Sequence, residues 1–351
     1  MFLPRPDSIV ETIASLDAQG WPDGTCVFKE RSMSKTVLGI DVAKSKLDVV
    51  LLLNDKALVK KFDNNMKGFK LLHGWLSSLK IEQVHACLEA TGTYGEPIAE
   101  FLHEHGHRVS VVNPLRIRSF AKSDLKRNKT DRADARTIAE FCLLKDPEDW
   151  HPLPPEIKQL QALTRRIESL ERMLFAETNR LEAAQAATRP SIERMIDNLK
   201  QEIDNVQRLI KDHIDNNPDL RQQSDLLQTI PGIGEKTARL LLGEIEFRSF
   251  ESARALAAHA GLTPRQFQSG TSLNWTRLSK LGSGRIRKAM YFPAITALKY
   301  NAVIKQFARR LSENGKSPMQ IVCAAMRKLL HIAFGVIRHN RPFDPTPALH
   351  V

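Results

Sequence analysis

Hydrophobic spacing changes along the 351-residue chain, and each change predicts a different architecture. Val37-Leu38-Gly39-Ile40 is an apolar run that stops on Asp41, crosses a small polar stretch and resumes from Val49 to Leu53. Runs rich in branched residues between polar turns predict strands. Here they predict a hairpin whose buried first strand carries Asp41 into the middle of a sheet. Ala57 to Phe62 predicts a further strand, and Phe69, Leu72, Trp75, Leu76 and Leu79 recur at helical spacing. Val84 to Leu88 predicts a second buried strand, ending on Glu89. Gly92 and Gly95 mark a turn before a helix over 97–105, and a strand over 108–112 closes at Asn113-Pro114. A basic loop, Lys122 to Lys129, leads into a helix from Thr130, a suitable N-cap, to Leu144. Such alternation predicts an α/β domain around a largely buried mixed sheet.

From Leu160 the spacing becomes purely helical. Leu160, Leu163, Ile167, Leu170, Leu174 and Leu181 form one seam, and after Arg189-Pro190-Ser191 a second runs through Ile192, Ile196, Leu199, Ile203, Val206 and Ile210. Two narrow seams joined by a proline break predict an antiparallel coiled-coil hairpin; two ordinary helices on a globular core are the alternative. Asn216-Asn217-Pro218 ends the hairpin, and 226–341 reads as mainly helical. The expected parts are a leader over 1–33, an α/β domain over 34–150, the helical hairpin over 151–217 and a mainly α C-terminal domain over 218–351. The leader holds Pro4, Pro6 and Pro22 and lacks the pattern of a signal peptide, which predicts a disordered arm or a start at Met33.

Charge adds a partner to this picture. The chain has 52 Lys and Arg against 40 Asp and Glu, a net charge of +12. That favours a polyanion, nucleic acid ahead of a membrane surface. Fifteen basic residues between Arg265 and Arg341 face only Glu313, a run that would repel itself without a polyanion nearby. Cys26, Cys87, Cys142 and Cys323 lie far apart with no CxxC pair, which points to a reducing compartment and away from a zinc site. No uninterrupted apolar run approaches the ~18 residues of a membrane span.

Four acids stand out by position. A buried strand accepts a carboxylate only with a partner, so Asp41 is either satisfied by a hydrogen-bonded turn or binds a cation. Asp131 and Asp134 are three apart and share a helical face. With Asp41 and Glu89 they supply the oxygen ligands that hard divalent cations need, provided the helix packs across the sheet. Taken singly, Asp131 suits a helix dipole and Asp134 can pair with Arg132 or Arg136. Arg116, Arg118, Lys122, Lys126, Arg127 and Lys129 surround them, as a metal-dependent nucleic-acid enzyme would need.

Further on, Ile230-Pro231-Gly232-Ile233-Gly234-Glu235-Lys236-Thr237 looks like a helix-hairpin-helix element. Gly232 and Gly234 would let backbone N–H groups approach a phosphate, with Lys236 beside them; a Gly-capped helix turn is the alternative. Ser269 precedes Gly270 in a polar loop flanked by Arg265, Arg277 and Lys280, with Arg285, Arg287 and Lys288 beyond. Its hydroxyl could attack a phosphodiester held by those cations, but no His or Lys stands out as its base. On the residues alone a solvated loop serine is the simpler reading.

Taken together these segments resemble the DEDD transposases of the insertion sequence 110 family, which pair a RuvC-like domain of RNase H fold with a C-terminal transposase domain carrying a serine. The likeness is carried by Gly39-Ile40-Asp41-Val42-Ala43-Lys44, Leu88-Glu89-Ala90-Thr91-Gly92-Thr93-Tyr94 and Arg127-Asn128-Lys129-Thr130-Asp131-Arg132-Ala133-Asp134-Ala135. In the C-terminal half it is carried by Ile230 to Thr237, Ala260-Gly261-Leu262-Thr263-Pro264 and Ser269-Gly270, so that it runs from about Met33 to Phe343. The resemblance implies that Asp41, Glu89, Asp131 and Asp134 ligate one or two Mg2+ ions, and that Ser269 is a nucleophile forming a transient phosphoserine bond to DNA. It implies donor and target DNA as substrates, a structured guide (bridge) RNA pairing with both, and assembly as a dimer to tetramer through the coiled coil. The expected function is a transposase, a site-specific recombinase that mobilises its own insertion element in the bacterial cytosol. Three rivals remain open: a RuvC-like nuclease that hydrolyses branched DNA with metal alone, an inactive nucleic-acid-binding scaffold, and an actin-like ATPase, which lacks support from a second glycine loop.

Overall fold

The structure, a computed structural model, describes residues 36–54, 56–90, 92–123, 131–269 and 273–346. The side chains at 131, 132, 269, 273 and 274 lie outside the described part, as do the expected leader and the basic-loop residues Lys126, Arg127 and Lys129. Two compact units, Met1–Pro152 and Leu153–Val351, divide the chain.

In the first unit the branched apolar runs form β1 (Val37–Val42), β2 (Lys46–Leu53), β3 (Lys56–Asp63), β4 (His85–Glu89) and β5 (Arg108–Val112). Their order in the sheet is β3-β2-β1-β4-β5. β1 pairs antiparallel with β2 and parallel with β4, so the sheet is mixed and β1 is its centre. Two helical layers explain why its strands are apolar on both faces. On one face α1 (Met66–Ser78) and α2 (Glu96–Glu104) bury Phe69, Leu72, Leu76, Ile98 and Leu102 against Leu38, Ile40 and Leu88. On the other, α3 (Pro114–Ser123) and α4 (Asp131–Lys145) bury Ile117, Phe120, Ala135, Ile138 and Ala139 against Val37, Val50 and Cys87. This mixed α/β arrangement is compatible with the expected RNase H-like domain.

α3 was not anticipated, because Asn113-Pro114 read as a stop. It is a start: Pro114 is the first helical residue, where no N–H is needed, and the Asn113 side chain accepts from the Leu115 N–H at 2.9 Å.

The second unit opens with the long helices α5 (Pro155–Glu182) and α6 (Arg189–Asp215), which pack against each other. Ile157, Leu160, Ile167 and Leu170 of α5 share one buried core with Leu199, Ile203, Val206 and Ile210 of α6. The same core takes in α7 (Pro218–Gln228), α8 (Glu235–Glu244), α9 (Ala253–His259), α10 (Gly284–Ala289), α11 (Tyr291–Tyr300), α12 (Ala302–Glu313) and α13 (Pro318–His339). Met173, Phe175 and Met195, by contrast, are exposed. α13 is one described helix long and apolar enough by composition to cross a membrane; it buries Leu329, Leu330 and Ala333 in this core.

One expectation is corrected here. The region from 226 to 341 is mostly helical, but Ser269 does not lie in a loop: it ends β6 (Pro264–Ser269), which pairs antiparallel with β7 (Leu273–Leu278). Alternation explains it. Phe267 and Trp275 stand opposite each other and stack, with ring centroids 3.9 Å apart and planes 19° from parallel. Such cross-strand aromatic pairs stabilise a two-stranded ribbon.

Candidate active site

The acidic residues of the first unit can be placed by register. Ile40 of β1 stands beside Leu88 of β4, and Asp41 and Glu89 follow each by one residue. The two acids therefore occupy adjacent positions on neighbouring parallel strands, at the C-terminal ends where strand spacing is ~4.8 Å. Glu89 faces Val112 on β5, and on the other side Asp41 faces Asp48 of β2, which in turn faces Lys61 of β3. A row of Lys61, Asp48, Asp41, Glu89 and Val112 thus crosses the sheet on one face.

Gly39 identifies that face. It lies two residues before Asp41, and a Cβ added to it would meet the Ala135 carbonyl oxygen at 2.3 Å and the Ala139 nitrogen at 2.5 Å. The α4 backbone therefore rests on Gly39. Further along α4, the Cys142 thiol approaches the His85 carbonyl at the start of β4, 3.9 Å away. α4 consequently runs opposite to β1 and β4, and its first turn points toward their C-terminal ends. Asp131 lies one turn before Ala135, ~6 Å nearer the acid row. Asp134 lies one turn before the buried Ile138. The helix that the acids required lies across the sheet, with its first turn toward the ends of β1 and β4.

Asp48 was missed by sequence reasoning, although the same buried-charge argument applied to Leu47-Asp48-Val49. Its side chain is 3% exposed, with Lys61 Nζ at 3.0 Å and Lys46 Nζ at 3.4 Å. Carboxylates facing each other across a sheet repel, and these lysines offset part of that cost. Asn64 was missed as well. Its Nδ2 donates to the Ala43 and Tyr94 carbonyls, at 2.9 and 3.1 Å, and so ties the β1–β2 turn to the loop after β4.

An all-oxygen donor set of this kind fits a hard divalent cation better than a soft or imidazole-loving metal. Among the described side chains no three acids, histidines or cysteines close on one point; Asp131 is outside that set.

The second unit places the remaining candidates. Arg265 and Arg277 face each other across the β6–β7 pair. Arg265 lies over the Phe267 ring at 4.8 Å and Arg277 over Trp275 at 4.5 Å. Alternation puts position 269 on that same face, at the end of β6. Lys280 and Lys288 are exposed.

The other basic candidates have protein partners. Lys236 bonds Glu171 of α5, Arg285 reaches Glu168 at 3.0 Å and Glu244 at 3.6 Å, and Arg287 donates to the Ala260 carbonyl at 3.1 Å. Acids from outside the basic stretch thus neutralise part of it, which its local sequence does not show.

Gly232 has φ +109°, and a Cβ there would meet the Pro293 carbonyl at 2.8 Å, so packing onto α11 already requires glycine. Gly234 has open space around it and forms the N-cap of α8 without a side-chain cap.

Two family models match successive parts of the chain. A family model of DEDD transposases of IS110 elements, described as transposase, matches residues 38–190 and so spans all four acids. A second, for transposases of the IS116/IS110/IS902 family, matches 224–309, from α7 through the β6–β7 pair into α12. The pilin gene-inverting protein of Moraxella bovis is 38% identical over 318 residues, covering 89% of this chain and 98% of that protein.

The chain belongs to the IS110 family of transposases.

Another relative is the transposase for insertion sequence element IS1328 of Yersinia enterocolitica, 26% identical over 354 residues, covering 88% of this chain and 98% of that protein. As an IS110-family enzyme the protein is a DNA recombinase, and DNA is its substrate. The DEDD character of the matched family points to a divalent metal requirement.

Proposed function

We propose that this transposase cuts and rejoins DNA to mobilise its own insertion element, using Ser269 as nucleophile with the assistance of an RNase H-like centre of Asp41, Glu89, Asp131 and Asp134. The observation that carries the reading is the placement of α4: it crosses the sheet so that its acidic first turn approaches the strand ends bearing Asp41 and Glu89. Those four carboxylates would hold one or two Mg2+ ions, with Asp48 beside them. The metal would offset charge on the phosphate and favour loss of a hydroxyl proton.

The serine step balances without a further reactant. The Ser269 oxygen bonds to phosphorus and gives up its proton, the phosphodiester P–O bond breaks, and the leaving strand end gains a proton as a hydroxyl. Attack by a hydroxyl of another strand reverses these changes and restores the serine. Arg265 and Arg277, held on their aromatic rings, would hold a strand phosphate on the same face of the β6–β7 pair. The turn from α7 to α8, with Gly234 at an uncapped helix N-terminus, would contact a neighbouring phosphate as a helix-hairpin-helix element does.

Site choice would rest with a bridge RNA, since the cations are spread out rather than arranged to read base edges. The hairpin of α5 and α6 would join protomers into a dimer or tetramer.

A plasmid carrying donor and target sites tests the chemistry. Ser269→Ala should abolish the covalent protein–DNA adduct seen on denaturing gels, and Asp41→Asn should slow recombination at least about a hundredfold. Full cleavage by the serine variant with Mg2+ present would replace this mechanism with metal-only hydrolysis. A defined RNA should co-purify, and RNase treatment should stop recombination; recombination by the RNA-free protein would remove guidance from the reading.

A further inference from the structure

A cavity of about 720 Å3 lies in the second unit beside the base of the β6–β7 hairpin. Its walls are apolar: Phe307 and Leu311 from α12, Met319 and Ala324 from α13, and Leu278 from β7. Among the described residues its charged groups are all cationic, namely Arg277, Lys316, Arg327 and Lys328, and no carboxylate lines it. The volume falls within the ~300–1,000 Å3 of small-molecule sites and is far more than a phosphate alone would fill.

An apolar slot with an aromatic wall beside several cations matches one chemical unit closely. That unit is a flat, weakly hydrated base joined to a phosphate. Stacked bases inside a duplex cannot enter, whereas an unstacked base can.

We propose that this cavity receives an unstacked nucleotide of the DNA strand that passes the hairpin. The base lies against Phe307 and Met319, and its phosphates meet the basic rim. Arg277 belongs to both surfaces. Its guanidinium lies over Trp275 on the hairpin face, and the same residue lines the cavity. A strand on the aromatic face and a base in the cavity would therefore share that arginine.

Gln320 also lines the cavity. Its Oε1 accepts from the Ser317 N–H at 2.9 Å in the cap of α13, which orients the amide and leaves its NH2 end for a base carbonyl. The proposal rests on DNA being the substrate, and it holds whether or not Ser269 is the nucleophile.

Cys323 lines the cavity and is half-buried, while Cys87 and Cys142 are buried, so its alkylation reports on occupancy. The full chain is treated with N-ethylmaleimide and the rate at Cys323 is read by peptide mass spectrometry, alone and with a single-stranded oligothymidylate. An abasic DNA strand and an oligouridylate of equal length are the comparison arms, and duplex binding is measured on the same protein.

At nine-tenths occupancy the oligothymidylate should slow alkylation about tenfold. The abasic strand should protect much less. Equal protection by the abasic strand would overturn the base site, leaving only a phosphate-binding rim, and stronger protection by the RNA would overturn the assignment to DNA. Duplex binding without any protection would sink the cavity proposal alone. Failure to bind any DNA would sink the recombinase reading with it.

Ala324→Phe, which fills the slot, should weaken single-strand binding about tenfold, the size of one lost base stack, with duplex affinity unchanged. Lys316→Glu on the exposed rim gives a second variant should the first fail to fold. It should weaken binding of the oligothymidylate and restore the alkylation rate; unchanged binding and protection would count against the rim.

Discussion

Gly39 shows how much a single residue decides. With the Ala135 carbonyl where its Cβ would be, Gly39→Ala must push α4 off the sheet. The expected cost is about 1–3 kcal/mol by urea unfolding, the usual range for overpacking. Recombination should fall further than stability does, because in the proposed centre the shift would separate Asp131 and Asp134 from Asp41 and Glu89. A variant as active as the parent would show that the helix need not touch the sheet there. The glycine was visible in the sequence as part of an apolar run, but its purpose was not, since that depends on a helix almost a hundred residues away.

His107 carries a second residue-scale prediction. It is 4% exposed, and neither ring nitrogen has a hydrogen-bond partner among the described residues. Burial, then the nearby His73 and His105, lowers its pKa from 6.5 to about 4. The fold therefore keeps it neutral where the unfolded chain would protonate it. This contribution is complete above pH 6.5 and is lost as pH falls from 6.5 toward about 4. Between pH 7.5 and pH 5 the first unit should lose about 2 kcal/mol from this cause. His107→Leu should remove that part of the acid sensitivity, read as urea midpoints at the two pH values.

Among elements, those with long-range periodicity were legible and those made by short alternation were not. The five strands and the helix heading from Asp131 follow from apolar runs and an N-terminal acid, whereas β6 and β7 are each six residues long and sit between helical stretches. Their signal was the spacing of Arg265 and Phe267 against Trp275 and Arg277. It read as a loop because Ser269 and Gly270 lie in a polar stretch flanked by cations; opposed arginines are costly in a strand pair unless rings or phosphates take up the charge. If phosphates do, Arg265→Ala and Arg277→Ala should each reduce the salt dependence of DNA binding by about one unit of log–log slope. An unchanged slope would mean that the rings alone account for them. Trp275→Ala should weaken the hairpin itself and lower single-strand affinity along with it.

At the scale of the whole molecule, basicity gave the partner correctly in kind but overstated how much of it is available. Lys236 and Arg285 meet acids of α5 and α8, and such long-range pairing is invisible to a count along the chain. The buried clusters of the first unit end by Cys142, and that of the second starts at Ile157, with no buried residue in common. Calorimetry should therefore resolve two transitions, and His107→Leu should move one of them; a single transition shifted as a block would contradict separate cores. The long α5–α6 pair adds a dimension to the second unit. At 28 residues α5 spans about 42 Å. Anchored in the core at one end, it would act as a ruler for any partner that grasped its tip, setting how far away that partner is held. Matched insertions of seven residues in both arms would lengthen that reach by about 10 Å with the seam still facing inward, whereas insertions of five would turn it roughly 140° away.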